Sequence, residues 1–290
     1  MATAHKKILV YLVLTFAFSS IFYYRMITAG AIGGYTFPLM WCPGVAAILT
    51  QLLFQHNLRG MGWGIGKAKY LLVGYGLPLL YCLVVYGIVW LTGLGRVDLA
   101  EFMRQAAPRV DLPIQSPALY LLGYVLIMTT VALAIGCVQA LGEEIGWRGF
   151  LVPELYKEHS FTQTGLISGV IWMLWHSPLI LFADYNNAGA PRWFGLLCFV
   201  VMVVMFSFTF AWLRLKAASL WPAVLLHASH NMFVQTIFTP LTSDTGYTAY
   251  VVDEFGIGLA IALALLGYLF WRKRGELTRP FATVPSARLY

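Results

Sequence analysis

Charge is scarce in this sequence. Only 11% of its 290 residues are Asp, Glu, Lys or Arg, against about 25% in an ordinary soluble domain. In their place, 60% are apolar and 16% aromatic, and the mean hydropathy is +0.74. A water-soluble fold of this length could not hide so much apolar surface in one core. A bilayer can, because it acts as the solvent for the outer faces of the helices. Other absences narrow the reading. No basic stripe interleaves with aromatics, so the formal charge of +7 does not mark a nucleic-acid partner. The basic residues sit in short connections and at the two ends, where they set topology and attract anionic headgroups. No C-x-x-C pair exists: Cys42, Cys82, Cys137 and Cys198 lie far apart in or beside apolar runs and read as small buried hydrophobes. There is no internal repeat of the kind an inverted-repeat transporter leaves, and no H-E-x-x-H zinc motif.

What is present is a series of apolar runs long enough to span, near 8–24, 37–55, 70–94, 118–142, 164–182, 194–213, 218–240 and 255–271. The second is the weakest, because Pro38 and Pro43 interrupt its start. The first follows Lys6-Lys7 and is long for a signal peptide, so it reads as a retained helix. The sequence thus predicts an all-α, polytopic membrane bundle of about eight transmembrane helices, with both termini on one side. With the N terminus inside, the inner connections hold 14 Lys and Arg and the outer ones 5. That bias puts both termini in the cytoplasm of a cell-membrane protein. The chain divides into N-terminal helices and an outer loop (1–117), a central core (118–240), and a last helix with a basic tail (241–290). The loop 95–117 reads as a surface segment with room for a short amphipathic helix.

Ionisable groups inside a span are costly and need a reason. Three clusters stand out. Gly142-Glu143-Glu144-Ile145-Gly146-Trp147-Arg148 closes the fourth run. Adjacent glutamates point about 100° apart on a helix. Glu144 and Arg148 are spaced for an i, i+4 ion pair, which leaves Glu143 to face the bundle interior. Gly142 and Gly146 would let a neighbouring helix approach closely. In the fifth run Trp172-x-x-x-His176 precedes Ser177-Pro178. At 1.5 Å per residue His176 is about 18 Å from the inner boundary, and Pro178 strips the carbonyl near Leu174 of its helical donor. In the seventh run His227 and Asn231 share a face, with Ser229 and His230 between them, and His227 is about 14 Å deep by the same rise. The run boundaries leave Glu143 shallower than its partners. Either the fourth helix continues toward Pro153, or the cavity is broad at a cytoplasmic mouth.

A carboxylate beside imidazoles can hold and deprotonate a water, and a second His or an Asn amide can donate to the oxyanion of a tetrahedral intermediate. The same set could hold a divalent metal such as zinc through Glu143, His176 and His227. Both chemistries suit hydrolysis of an amide. Buried Glu and His also serve proton relays, so a transporter or an immunity or scaffold protein is the alternative. Asn231, which a relay does not need, separates the two.

Together the three clusters resemble the CPBP family, the CAAX-protease and bacteriocin-processing membrane proteins, whose motifs are E-E-x-x-x-R, F-x-x-x-H and H-x-x-x-N. Glu143-Glu144…Arg148 and His227…Asn231 stand intact here, while Trp172…His176 has Trp in place of Phe. The resemblance covers about 118–235. It implies an eight-helix intramembrane endopeptidase with a cavity open to the cytoplasm, acting on a peptide or a membrane-anchored protein. Glu143 would activate water, assisted by His176; His227 and Asn231 would steady the water or the oxyanion; Arg148 would hold Glu144; Trp172 would form a cavity wall. His230 and Ser229 lie outside the motifs and receive no role. Metal-dependent and metal-free mechanisms both fit these residues.

Overall fold

The computed structural model describes residues 4–30, 32–183, 185 and 189–277. Most of the basic tail expected at the cytoplasmic surface, 278–290, lies outside them. Ten helices follow in order: α1 (Ala4–Ala29), α2 (Ile32–Gln55), α3 (Ala68–Leu91), α4 (Leu99–Ala106), α5 (Pro117–Glu158), α6 (Phe161–Phe182), α7 (Arg192–Ala217), α8 (Trp221–Asn231, extended by a π-helical stretch Met232–Phe238), α9 (Thr248–Val251) and α10 (Ile257–Arg272). Among the described residues the one sheet is a pair of two-residue strands, Arg96–Val97 against Thr242–Ser243, antiparallel. The fold is an all-α membrane bundle.

Among the described residues six helices, α1, α2, α3, α5, α6 and α7, are long and apolar enough to cross a membrane. The last two expected runs are helical but differ in kind. α8 carries His227, His230 and Asn231 in its interior. α10 has 16 residues, about 24 Å of helix against a hydrocarbon core of about 30 Å. The outer faces remain apolar: Leu72 and Leu83 on α3, Leu119, Leu122 and Leu126 on α5, and Leu265 on α10 are all exposed, as a lipid solvent permits.

The fourth run proves to be the start of a much longer helix. α5 has 42 residues, interrupted by π-helical stretches at Met128–Ala132 and Ile145–Leu151. It does continue past Pro153, and Glu143 therefore sits 15 residues, about 22 Å, from its end at Glu158. The expected shallowness of Glu143 disappears. A π stretch leaves backbone carbonyls out of register; that of Arg148 accepts from Nε of Arg214 on α7 at 2.8 Å, and the same guanidinium donates through Nη2 to the Gly60 carbonyl at 2.8 Å.

The glycines of the first cluster admit α2. A Cβ on Gly142 would lie 2.7 Å from the Met40 carbonyl oxygen, and one on Gly44 would lie 2.4 Å from the carbonyl oxygen of Gly142. The two backbones touch, and only glycine fits at either point. α6 opens with a capping box between Ser160 and Gln163. Further along, Ser177 Oγ donates to the Leu174 carbonyl at 2.7 Å, supplying the bond that Pro178 removes. In the 95–117 loop, α4 is the expected amphipathic helix; Asp98 caps it by accepting from the Glu101 amide, and it buries Phe102 and Ala106.

Candidate active site

Glu144 is fully buried, a position that requires its charge to be met. Its Oε1 accepts from Arg148 Nη1 at 2.9 Å, the expected i, i+4 pair, and also from His227 Nδ1 on α8 at 2.8 Å. Arg148 has no route to water either. Its guanidinium is held between the rings of Trp172 (4.2 Å) and Phe210 (3.9 Å), where the faces of the π systems favour a cation. Glu144 therefore does more than pair with Arg148: it fixes the ring of His227 through Nδ1, and Nε2 is left for the cavity, the way a second carboxylate orients a working imidazole.

Glu143 is 2% exposed. Both of its hydrogen bonds fall on Oε2, from Trp147 Nε1 at 3.0 Å and Trp172 Nε1 at 2.8 Å. Oε1 takes part in neither bond, and the residue lines the cavity. Trp172 thus forms a wall, as expected, and is also a donor to the carboxylate, which a phenylalanine in its place could not be.

His176 lies one turn along α6. Its Nδ1 donates to the Trp172 carbonyl at 2.9 Å, so the lone pair on Nε2 is available as a base. Trp175 and Phe199 pack edge-on against it, with centroids at 4.8 and 5.3 Å. Glu143, His176, His227 and Asn231, from three helices, all line one cavity of about 140 Å³, room for several waters.

The lining residues give the cavity a direction within the bundle. From Glu143 it extends past His176 and Leu179 on α6 to Tyr185, Met26 at the end of α1, Thr36 near the start of α2, and Glu254 before α10. These residues belong to the half of the bundle holding the 30–36, 183–191 and 239–256 connections. Toward the opposite end, where the N terminus lies, Arg148 and its two flanking rings fill the space. The cavity lining thus reaches from Glu143 toward the end of the bundle opposite Ala4.

The sequence reading also missed a residue. Glu254 is 5% exposed and lines the same cavity. Its Oε1 accepts from His230 Nε2 (3.0 Å) and Gln235 Nε2 (2.9 Å), and its Oε2 from Tyr185 Oη (3.0 Å). His230 Nδ1 bonds the Tyr81 hydroxyl. Burial pushes the Glu254 carboxyl up, but His230 first, then Gln235 and Tyr185, outweigh it and hold it below the usual carboxylate range. Asp253 beside it is raised, by burial and by the Glu254 charge. The one signal in the sequence was an acidic pair at the entrance of an apolar run, and nothing there gave its partners.

Among the described residues, no three His, Cys, Asp or Glu side chains converge as a metal-ligand set. Oε2 of Glu143 is occupied by two N–H donors, and Nδ1 of each cavity histidine by an acceptor. The atoms outside these bonds, Oε1 of Glu143 and Nε2 of His176 and His227, are the ones that would hold a divalent metal, each ring being fixed through Nδ1 as an outer-shell partner fixes a ligating histidine.

Comparison with known proteins bears on the same segment. Residues 124–233 match the family of Type II CAAX prenyl endopeptidases, Rce1-like, and all three motifs lie inside that match. The chain is also similar to a CAAX prenyl protease 2 of Methanococcus maripaludis, 29% identical over 140 residues. That alignment takes in 46% of this chain and 49% of the relative, so the chain matches about half the length of that curated protein. Over 124–233, then, this chain is similar to the Rce1-like type II CAAX prenyl endopeptidases.

Proposed function

We propose that this protein is an intramembrane endopeptidase that hydrolyses a peptide bond with a water activated by Glu143. The observation that carries the reading is the convergence of Glu143, His176, His227 and Asn231 on one enclosed cavity, with the two histidines each fixed through Nδ1. Glu143 takes a proton from the water through Oε1 while His176 Nε2 holds the same water. The hydroxide adds to the carbonyl carbon of the scissile bond. Asn231 steadies the oxyanion, and His227 does so as an imidazolium, with Nδ1–H given to Glu144 and Nε2–H to the oxyanion. Collapse of the tetrahedral intermediate expels the amine, which takes the proton that Glu143 had accepted. The substrate is a peptide or a membrane-anchored protein that reaches the cavity from the side of the bundle opposite the termini.

The test is cleavage of a fluorogenic peptide library by the purified protein in detergent. Glu143→Gln and His176→Ala should abolish turnover while the helical content and elution profile stay those of the wild type. Asn231→Ala should lower kcat by about 10²–10³. Undiminished cleavage by Glu143→Gln would sink the mechanism. Activity lost to a chelator and restored by zinc would replace it with a metal-dependent one.

A further inference from the structure

α7 and α10 pack closely, a Cβ on Gly267 falling 2.1 Å from the Met205 carbonyl oxygen, and at the end of the bundle that carries the N terminus α3 stands off from them. Between them runs a groove of about 1090 Å³, walled by Val73, Leu77 and Leu80 of α3 and by Leu266, Leu269 and Phe270 of α10. It is separate from the catalytic cavity and shares no residue with it.

Four cations rim one end of the groove: Lys69 at the start of α3, Lys216 at the end of α7, and Arg272 and Lys273 at the end of α10. A single carboxylate, Glu276, shares the rim and lies 3.5 Å from Lys216 Nζ, so the rim keeps a net positive charge. Tyr70, Trp212 and Tyr268 line the groove at the same end. Rings with one apolar and one polar edge settle at the level of lipid headgroups.

The dimensions fit a single leaflet. From Lys69 to Leu80 is eleven residues, about 16 Å of helix, and half of a hydrocarbon core is about 15 Å. The groove therefore has cations at headgroup depth and an apolar wall that runs as far as one acyl chain reaches. A soluble acidic peptide would match the rim but would have to enter hydrocarbon to use the wall. The basic bias of this end matches the leaflet where anionic lipids gather.

We infer that the groove binds one anionic phospholipid, with its phosphate among Lys69, Lys216 and Arg272 and an acyl chain along Val73, Leu77 and Leu80. Glu276 sets the selectivity: it occupies part of the Lys216 charge, so a neutral headgroup gains little there and a full anion gains from the remaining cations.

The experiment is native mass spectrometry of the full-length protein in detergent, with phosphatidylglycerol and phosphatidylcholine of matched chains. The wild type should retain one phosphatidylglycerol with a preference of at least about tenfold. The triple variant Lys69→Ala/Lys216→Ala/Arg272→Ala should lose that preference. A control, Arg25→Ala/Arg96→Ala/Arg104→Ala, removes equal charge from the other end and should keep it. Equal retention of the two lipids by the wild type overturns the inference, as does an unchanged preference in the first triple variant or an equal loss in both. Should the first variant fail to fold, Leu77→Trp fills the groove and leaves the cations in place; retention of phosphatidylglycerol at the wild-type level by that variant also overturns it.

Discussion

The indole Nε1 of Trp172 donates to Oε2 of Glu143 at 2.8 Å, from one helix to another across 29 residues of sequence. With Trp147 Nε1 it locks one oxygen of the carboxylate and leaves the other out of both bonds. The same Trp172 ring covers one face of the Arg148 guanidinium. One side chain thus touches both the proposed base and the buried Arg148 cation.

Trp172→Phe separates these contacts, because phenylalanine keeps the ring and removes the donor. A hydrogen bond to a charged group contributes about 1.5–3 kcal/mol, and each 1.4 kcal/mol is about tenfold in rate. The variant should fold, keep its KM, and lose about tenfold or more in kcat. An unchanged kcat would show that Trp147 alone suffices to hold Glu143.

Glu144 meets Arg148 and His227 through one oxygen. Glu144→Gln keeps the shape and removes the charge, which leaves a buried guanidinium without its counter-ion. Breaking such a pair costs about 3–5 kcal/mol. Thermal unfolding in detergent should show a lowered Tm, and activity should fall even at temperatures where the variant is folded, since His227 loses its orienting partner. Arg148→Lys should not rescue the wild-type Tm, because an ammonium cannot fill the slot between Trp172 and Phe210.

Gly142 is where α2 and α5 touch. The Cβ added by Gly142→Ala would meet the Met40 carbonyl oxygen and the Trp41 ring, each at 2.7 Å. Separating the two helices to admit it should cost about 1–3 kcal/mol and shift the adjacent Glu143. Wild-type stability and activity in this variant would contradict the close approach.

Glu254 gives a stability term whose sign follows from its surroundings. Its folded carboxyl is held below the ordinary range. Its contribution is therefore complete above the unfolded value of about 4.3 and is lost as pH falls through the folded one. Asp253, raised, works in the opposite sense: it costs stability when ionised, and that cost vanishes on protonation. The Tm gap between wild type and Glu254→Gln should be open at pH 7 and narrow on acidification toward pH 3. A gap independent of pH would mean that the hydrogen-bond geometry, and not the charge, is what Glu254 supplies.

The charge bias and the cavity direction together make a topological prediction. The basic bias predicts the 56–67 connection and the termini inside; the cavity lining reaches toward the 239–256 connection, which is then predicted to lie outside. In a background with the four native cysteines replaced by alanine, Tyr247→Cys should react with a membrane-impermeant maleimide added to intact cells, and Asn57→Cys should react only after lysis. The reverse pattern would invert the bundle and put the cavity mouth in the cytoplasm.

Membrane residence, the all-α class and the motif residues were determined by the sequence alone. Apolar runs of spanning length have few uses outside a bilayer, and Glu143, Glu144, Arg148, Trp172, His176, His227 and Asn231 stand out against them because ionisable and aromatic donors are costly to bury there. The Glu144–Arg148 pair and the close approach at Gly142 were legible for the same reason: both follow from i, i+4 spacing on one helix. What only the tertiary structure decided was everything that depends on how one helix is turned against another. Helices that are apolar on nearly every face carry no periodic signal for that rotation, and the π-helical stretch Ile145–Leu151 shifts it again. Hence the donor role of Trp172, the clamp of Arg148 by Phe210, the second carboxylate centre at Glu254 and the side on which the cavity lies came from the folded molecule.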